Sequence, residues 1–168
     1  LLGVAAGAVR VLYPLRYGDL IRQSASRFGV DPALVASVIH AESRFRPRAI
    51  SSRGARGLMQ VMPETGAWLA HRLQLDEFTL EELFDPVTNI TLGTFYLSEL
   101  AHEFGGDWVL ILAAYNGGRQ NVKRWLAGRA TLAIEDIPFQ ETRYYVRRVL
   151  RVYRWYRLLY RWEELRGP

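Results

Sequence analysis

Apolar positions recur at helical spacing along nearly the whole chain, and no run alternates residue by residue as a half-buried strand does. Tyr17 to Phe28 reads as a first helix closed by Gly29. Asp31-Pro32 supplies an N-cap and a residue preset for the first turn, which predicts a helix from Pro32 to about Arg46, ahead of Pro47. Ala49 to Val61, with Gly54 and Gly57, reads as an ordered loop or a short irregular hairpin. Pro63 opens a helix to about Leu73, and Asp85-Pro86 opens another to about Phe104. Gly105-Gly106-Asp107 breaks and restarts the pattern to about Tyr115, and Asn116-Gly117-Gly118 is a turn. Gln120 to Leu126 is helical again, Ala127 to Pro138 is mainly loop, and a long last helix covers about Gln140 to Glu164. The pattern predicts one all-α domain over residues 17–168. Residues 1–16 are either the remnant of a membrane anchor or signal segment, or a short apolar helix packed on the domain.

A length of 168 residues and a 49% hydrophobic fraction suit a single domain with a real core. With no Cys, thiolate nucleophiles and Cys-based metal sites are excluded, and three dispersed His (His40, His71, His102) give no metal-ligand spacing. Neither a metal nor a cofactor is expected. The net charge of +5 comes largely from Arg147, Arg148, Arg151, Arg154, Arg157 and Arg161, and favours anionic partners. No nucleic-acid-binding motif accompanies the charge, so nucleic acid is not expected as a partner.

One helix carries a residue out of keeping with its pattern. Val35, Val38 and Ile39 form a core-facing stripe, and extending it lands on Glu42, then on Phe45. A carboxyl there must find a partner or stay protonated, and a carboxyl kept protonated near neutral pH is what a general acid requires. On periodicity alone, an ion pair with Arg44, Arg46 or another Arg accounts for Glu42 better than acid catalysis does.

The residues that follow carry further information. The run ESRFRPRAISSRGARGLMQVMPETG (Glu42 to Gly66), then NITLGTFYLSEL from Asn89, AAYNGG from Ala113 and IPFQETRYYVRRV from Ile137 resemble, in order, the motifs of soluble-type lytic transglycosylases, relatives of goose-type lysozyme. The resemblance runs from about Tyr17 to Tyr156. It implies a mainly α, lysozyme-like fold with a substrate cleft. The reaction it implies is cleavage of the β-1,4 bond from N-acetylmuramic acid to N-acetylglucosamine in peptidoglycan, leaving a 1,6-anhydro end. It further implies an extracytoplasmic protein, expected as a monomer, whose partner is the glycan strand.

By the same resemblance Glu42 is the single acid and base. Ser51 matches a serine near the substrate N-acetyl group, and Gln60, Met62 and Thr65 match the sugar cleft. Tyr115 and Asn116 match a pair facing the carboxyl, while Glu141 matches a glutamate at the saccharide cleft and Tyr145 lies one helical turn beyond it. Other roles compete: Met62 with packing, Asn116 with a turn, Glu141 with a helix first turn, and Tyr144 and Tyr145 with core anchoring. Gly117 and Arg119 depart from the usual AYNAGP. The C-terminal run RVYRWYRLLYRW reads as an aromatic packing face with a solvated basic face, and an interfacial membrane role is the alternative. A lysozyme-type hydrolase and a non-catalytic wall-binding module are the competing functions.

Overall fold

The computed structural model describes residues 11–160, so residues 1–10, where most of the anchor expectation falls, lie outside the described residues. Among the described residues there are seven α-helices: α1 (Gly18–Phe28), α2 (Pro32–Glu42), α3 (Pro63–Arg72), α4 (Pro86–Glu103), α5 (Trp108–Gly117), α6 (Arg119–Leu126) and α7 (Gln140–Leu159). Two 3-10 turns, Leu80–Phe84 and Ile134–Asp136, complete them. The helix starts follow the expected chemistry. Asp31 accepts from Ala33 N at 2.8 Å, Asp85 from Thr88 N at 2.8 Å and Asp107 from Val109 N at 2.8 Å, each satisfying a backbone donor that a helix start leaves open.

Helix α2 is the axis of the fold. Val35, Val38 and Ile39 are fully buried as expected, but burial is not confined to their face, because every residue from Ala33 to Ile39 is buried. A helix apolar on all sides is enclosed on all sides, and α2 packs against both α1 and α7. Tyr153 of α7 donates to Asp31 at 2.7 Å, so the last helix also pins the cap of α2. Residues 12–15 pack on the same assembly: Tyr156 donates to the Pro14 carbonyl at 2.7 Å, and the Tyr13 ring stacks 5.7 Å from Trp155.

The end of α2 departs from expectation. It stops at Glu42, a turn before the predicted limit near Arg46, because Arg44 and Phe45 turn left-handed with φ of 51° and 60°. That turn returns Phe45 to the core at 1% exposure and leaves Glu42 as the last helical residue. At the other end of the chain, α7 stops at Leu159, with Tyr160 extended, rather than running on through Tyr160 toward Glu164. Residues 49–61 form the irregular hairpin, held by bridges pairing Ile50 with Arg56 and Arg56 with Val61. No described helix is long and apolar enough to cross a membrane.

Candidate active site

Glu42 opens onto a cavity of about 540 Å³. Its walls are Ala41, Asn116 at the end of α5, and Gln140, Glu141, Tyr144, Tyr145 and Arg148 along the first two turns of α7. Residues 141, 144, 145 and 148 share one face of α7 because they are spaced by three or four, so a single helix supplies most of the wall. The helix end presents Glu42 here because Ser43, 1% exposed, donates to the Leu58 carbonyl at 2.7 Å and ties the terminus to the hairpin.

Burial is the largest influence on the Glu42 carboxyl and pushes its ionisation up from 4.5 to about 7, since a desolvated charge loses the stabilisation of water. Interaction with the Tyr145 hydroxyl and the positive charge of Arg148 oppose that rise, whereas the negative charge of Glu141 adds to it. The Tyr145 hydroxyl forms no well-aligned hydrogen bond, and burial first, then the Glu42 charge, push its ionisation well up. A carboxyl in this setting is protonated over much of the range below neutrality, and it is a competent donor and acceptor near pH 7.

Tyr115 stands close enough to feel the Glu42 charge, which with burial drives its own ionisation well up. Its hydroxyl, however, donates to the Met59 carbonyl at 2.9 Å, so it ties α5 to the hairpin. Asn116 accepts from Thr142 Oγ1 at 2.8 Å through Oδ1, which fixes its amide and turns Nδ2 away from that bond. Glu141 is exposed and pairs with Arg53 of the hairpin at 3.2 Å.

The structure therefore gathers Asn116, Glu141 and Tyr145 around Glu42, with Tyr115 immediately behind. It does not bring Ser51, Gln60, Met62 or Thr65 into the lining of this cavity. Ser51 accepts from Ala55 N at 3.0 Å, and Gln60, itself left-handed with φ of 50°, donates to the Ala49 and Gly57 carbonyls. Both side chains are spent shaping the hairpin. Met62 is 40% exposed beside the start of α3, and Thr65 is half-buried on its first turn.

Three residues escaped the sequence reading. Arg148 and Gln140 line the cavity, and the heptad-like face Glu141–Tyr145–Arg148 was the signal for the first of them. Asn89 is fully buried; it accepts from Met59 N at 2.7 Å and donates to the Leu83 carbonyl at 2.7 Å and the Arg56 carbonyl at 3.0 Å. A planar amide with one acceptor and two donors matches three backbone groups that no helix or sheet could satisfy. Gly57, with φ of 79°, sits against this latch: a Cβ there would lie 2.1 Å from the Leu83 carbonyl.

The desolvated Glu42 carboxyl at the edge of this cavity is equipped to give and take a proton near neutral pH. The family described as transglycosylase SLT domain matches residues 19–138. The soluble lytic murein transglycosylase of Escherichia coli strain K12 is 37% identical over 151 residues, covering 86% of this chain and 23% of that protein. The crystal structure of the soluble lytic transglycosylase from Escherichia coli superposes with a TM-score of 0.82 at 35% identity, over 87% of this chain and 25% of that one. An inactive Glu-to-Gln mutant of the lytic transglycosylase Slt from Pseudomonas aeruginosa gives 0.81 at 33% identity, over 88% of this chain and 25% of that one. The chain belongs to the transglycosylase SLT domain family, and its mainly α, lysozyme-like fold is the one expected. It spans about a quarter of the length of the relatives it matches.

Proposed function

We propose that this chain is a lytic transglycosylase, cleaving the β-1,4 bond from N-acetylmuramic acid to N-acetylglucosamine in peptidoglycan without consuming water. The observation that carries this reading is the Glu42 carboxyl, desolvated at the edge of an open cavity and ionising at about 7. In the first step Glu42 gives its proton to the glycosidic oxygen as the bond from C1 of the muramoyl sugar breaks. In the second, the muramoyl O6 hydroxyl bonds to C1, and its proton passes to the Glu42 carboxylate. The carboxyl is regenerated and the product is a 1,6-anhydro sugar. That the relative from Pseudomonas aeruginosa is inactive as a Glu-to-Gln mutant supports assigning the chemistry to one glutamate.

Tyr145 and Arg148 stabilise the carboxylate formed between the two steps, and burial restores its basicity for the second. Asn116 offers amide groups to an N-acetyl sugar, and Glu141 a hydroxyl acceptor at the cleft mouth. Met62 and Thr65 extend the sugar path along α3, while Ser51 and Gln60 hold the hairpin that forms its edge. The site of action is the envelope, where peptidoglycan lies.

Glu141 keeps a second reading open, because a hydrolase uses another carboxylate to activate water and Glu141 lines the same cavity. Its ion pair with Arg53 argues for a structural charge instead. Mass spectrometry of products from purified glycan strands separates the two. Anhydro ends support the proposal, and reducing ends that have gained water would sink it.

A further inference from the structure

Arg148 is the one cation among the cavity-lining residues, and its guanidinium has no hydrogen bond or ion pair among the described residues. Its neighbours differ. Arg147 pairs with Glu135 at 2.8 Å, Arg53 with Glu141 at 3.2 Å, and Arg119 with Glu103 at 3.7 Å. The two carboxyls closest to hand are both unsuited to it, since Glu141 is held by Arg53 and Glu42 is desolvated at the helix end. Arg148 is half-buried on the wall, and the same cavity is lined by the Asn116 and Gln140 amides and by Tyr144, which is 71% exposed. A half-buried guanidinium with no ion pair, whose charge reaches Glu42 only across the cavity, can take the anionic group of a ligand.

The substrate supplies such a group by its own chemistry. The muramoyl sugar whose C1 reacts carries a lactyl ether two carbons away, at C3. That lactyl group ends either in a free carboxylate or in an amide-linked stem peptide that bears carboxylates. Glu42 and Arg148 line the same cavity, and the charge of Arg148 reaches the Glu42 carboxyl, so a sugar whose glycosidic oxygen meets Glu42 brings its C3 substituent into the cavity that Arg148 lines.

We infer that Arg148, in the cavity it shares with the Asn116 and Gln140 amides, is a carboxylate-binding subsite that reads the muramoyl side chain. This rests on the glycan-strand reading given above. The subsite distinguishes a muramoyl sugar from an N-acetylglucosamine unit, which has no carboxylate at C3, and so sets which of the two alternating bonds meets Glu42. Occupation also has a consequence for the acid. A bound carboxylate neutralises the charge that favours the ionised form of Glu42, so the proton is retained until the bond is ready to break.

Affinity measured in a Glu42→Gln background tests the subsite, because Arg148 cannot act there through a Glu42 charge. E42Q and the E42Q/R148Q double variant are titrated with glycan strands freed of stem peptides, with stem-bearing strands, and with both after carbodiimide amidation of their carboxylates. E42Q is expected to bind the carboxylate form on the order of tenfold more tightly than the amidated form, the size of one charge-assisted contact. E42Q/R148Q is expected to bind both forms with the affinity of E42Q for the amidated strand. Discrimination confined to stem-free strands identifies the lactyl carboxylate, and discrimination confined to stem-bearing strands identifies a peptide carboxylate. Equal affinity of E42Q for charged and amidated strands, or discrimination surviving in E42Q/R148Q, overturns the inference. The wild-type chain is assayed in parallel on the same strands. Discrimination without any cleavage by the wild type would sink the activity and leave the subsite standing.

Discussion

The buried hydroxyl of Tyr145 and the carboxyl of Glu42 act on each other across the junction of α7 with the end of α2, each raising or lowering the other's readiness to ionise. Tyr145 favours the charged form of Glu42. Tyr145→Phe removes that support, so the ionisation of Glu42 moves above about 7 and the alkaline limb of the kcat/KM profile shifts to higher pH. Because the hydroxyl makes no well-aligned hydrogen bond, its loss costs little stability, within about 1 kcal/mol. A pH–rate profile beside a denaturant titration checks both halves. An unchanged alkaline limb would remove Tyr145 from the mechanism.

Glu42→Gln is expected to lower strand cleavage by at least ~10²–10⁴-fold, the contribution of positioned proton transfer. The same change carries a stability signature with a definite sign. The folded carboxyl ionises at about 7 and its reference is 4.5, so the native state holds a proton that the unfolded chain releases between those values. Stability from this group is full below 4.5, falls as pH rises through the window, and is lost above 7. Glu42→Gln abolishes that loss. The variant should gain on the order of 3 kcal/mol relative to wild type at pH 8 at most, and little at pH 4. Thermal melts at the two pH values read it, and a gain equal at both would contradict the assignment.

Glu141 adds negative charge next to Glu42, and its removal has the opposite effect to that of Tyr145. Glu141→Gln lowers the ionisation of Glu42, moving the alkaline limb to lower pH while anhydro products persist. Stability should change by less than about 1 kcal/mol, because the pair with Arg53 is solvent-exposed. Complete loss of cleavage in Glu141→Gln, with the fold intact by circular dichroism, would instead favour water activation by Glu141.

Asn89 joins three backbone groups from Arg56, Met59 and Leu83. Asn89→Ala leaves them buried without partners and is expected to destabilise the fold by about 2–4 kcal/mol. Gly57→Ala presses a methyl against the same latch in a left-handed backbone, and its cost should be comparable. Urea titration measures both. A loss below 1 kcal/mol in each would mean that the hairpin holds its shape by other means.

Helix starts were legible in the chain because their chemistry is local: Asp31, Asp85 and Asp107 each cap as their position implies. The end of α2 was not, since nothing local obliges Arg44 and Phe45 to turn left-handed. That turn is imposed by Ser43 reaching Leu58 and by the burial of Phe45, both long-range effects. Glu42 stood out by pattern, and the Val35, Val38 and Ile39 stripe behind it is buried, although α2 is enclosed on every side rather than on one. The clustering of Asn116, Glu141 and Tyr145 was legible through resemblance. Arg148 stayed hidden among six C-terminal arginines, because composition counts charges without saying which one faces inward. Ser51 and Gln60 illustrate the converse, as polar side chains in a motif segment whose bonds turn back into their own loop.

The Met59 peptide is engaged from both sides, its amide by Asn89 of α4 and its carbonyl by Tyr115 of α5. The hairpin's own bridges and the bonds of Ser51 and Gln60 give it a shape, and two helices remote in sequence clamp that shape in place. Residues on its outer surface, such as Ile50 and Met62, are free to drift or be engineered without moving Glu42. A graft of residues 49–62 onto another scaffold would leave the Met59 amide and carbonyl without partners unless the Asn89 and Tyr115 equivalents travelled with it. Diversification at this edge of the cleft is decoupled from the chemistry at its floor.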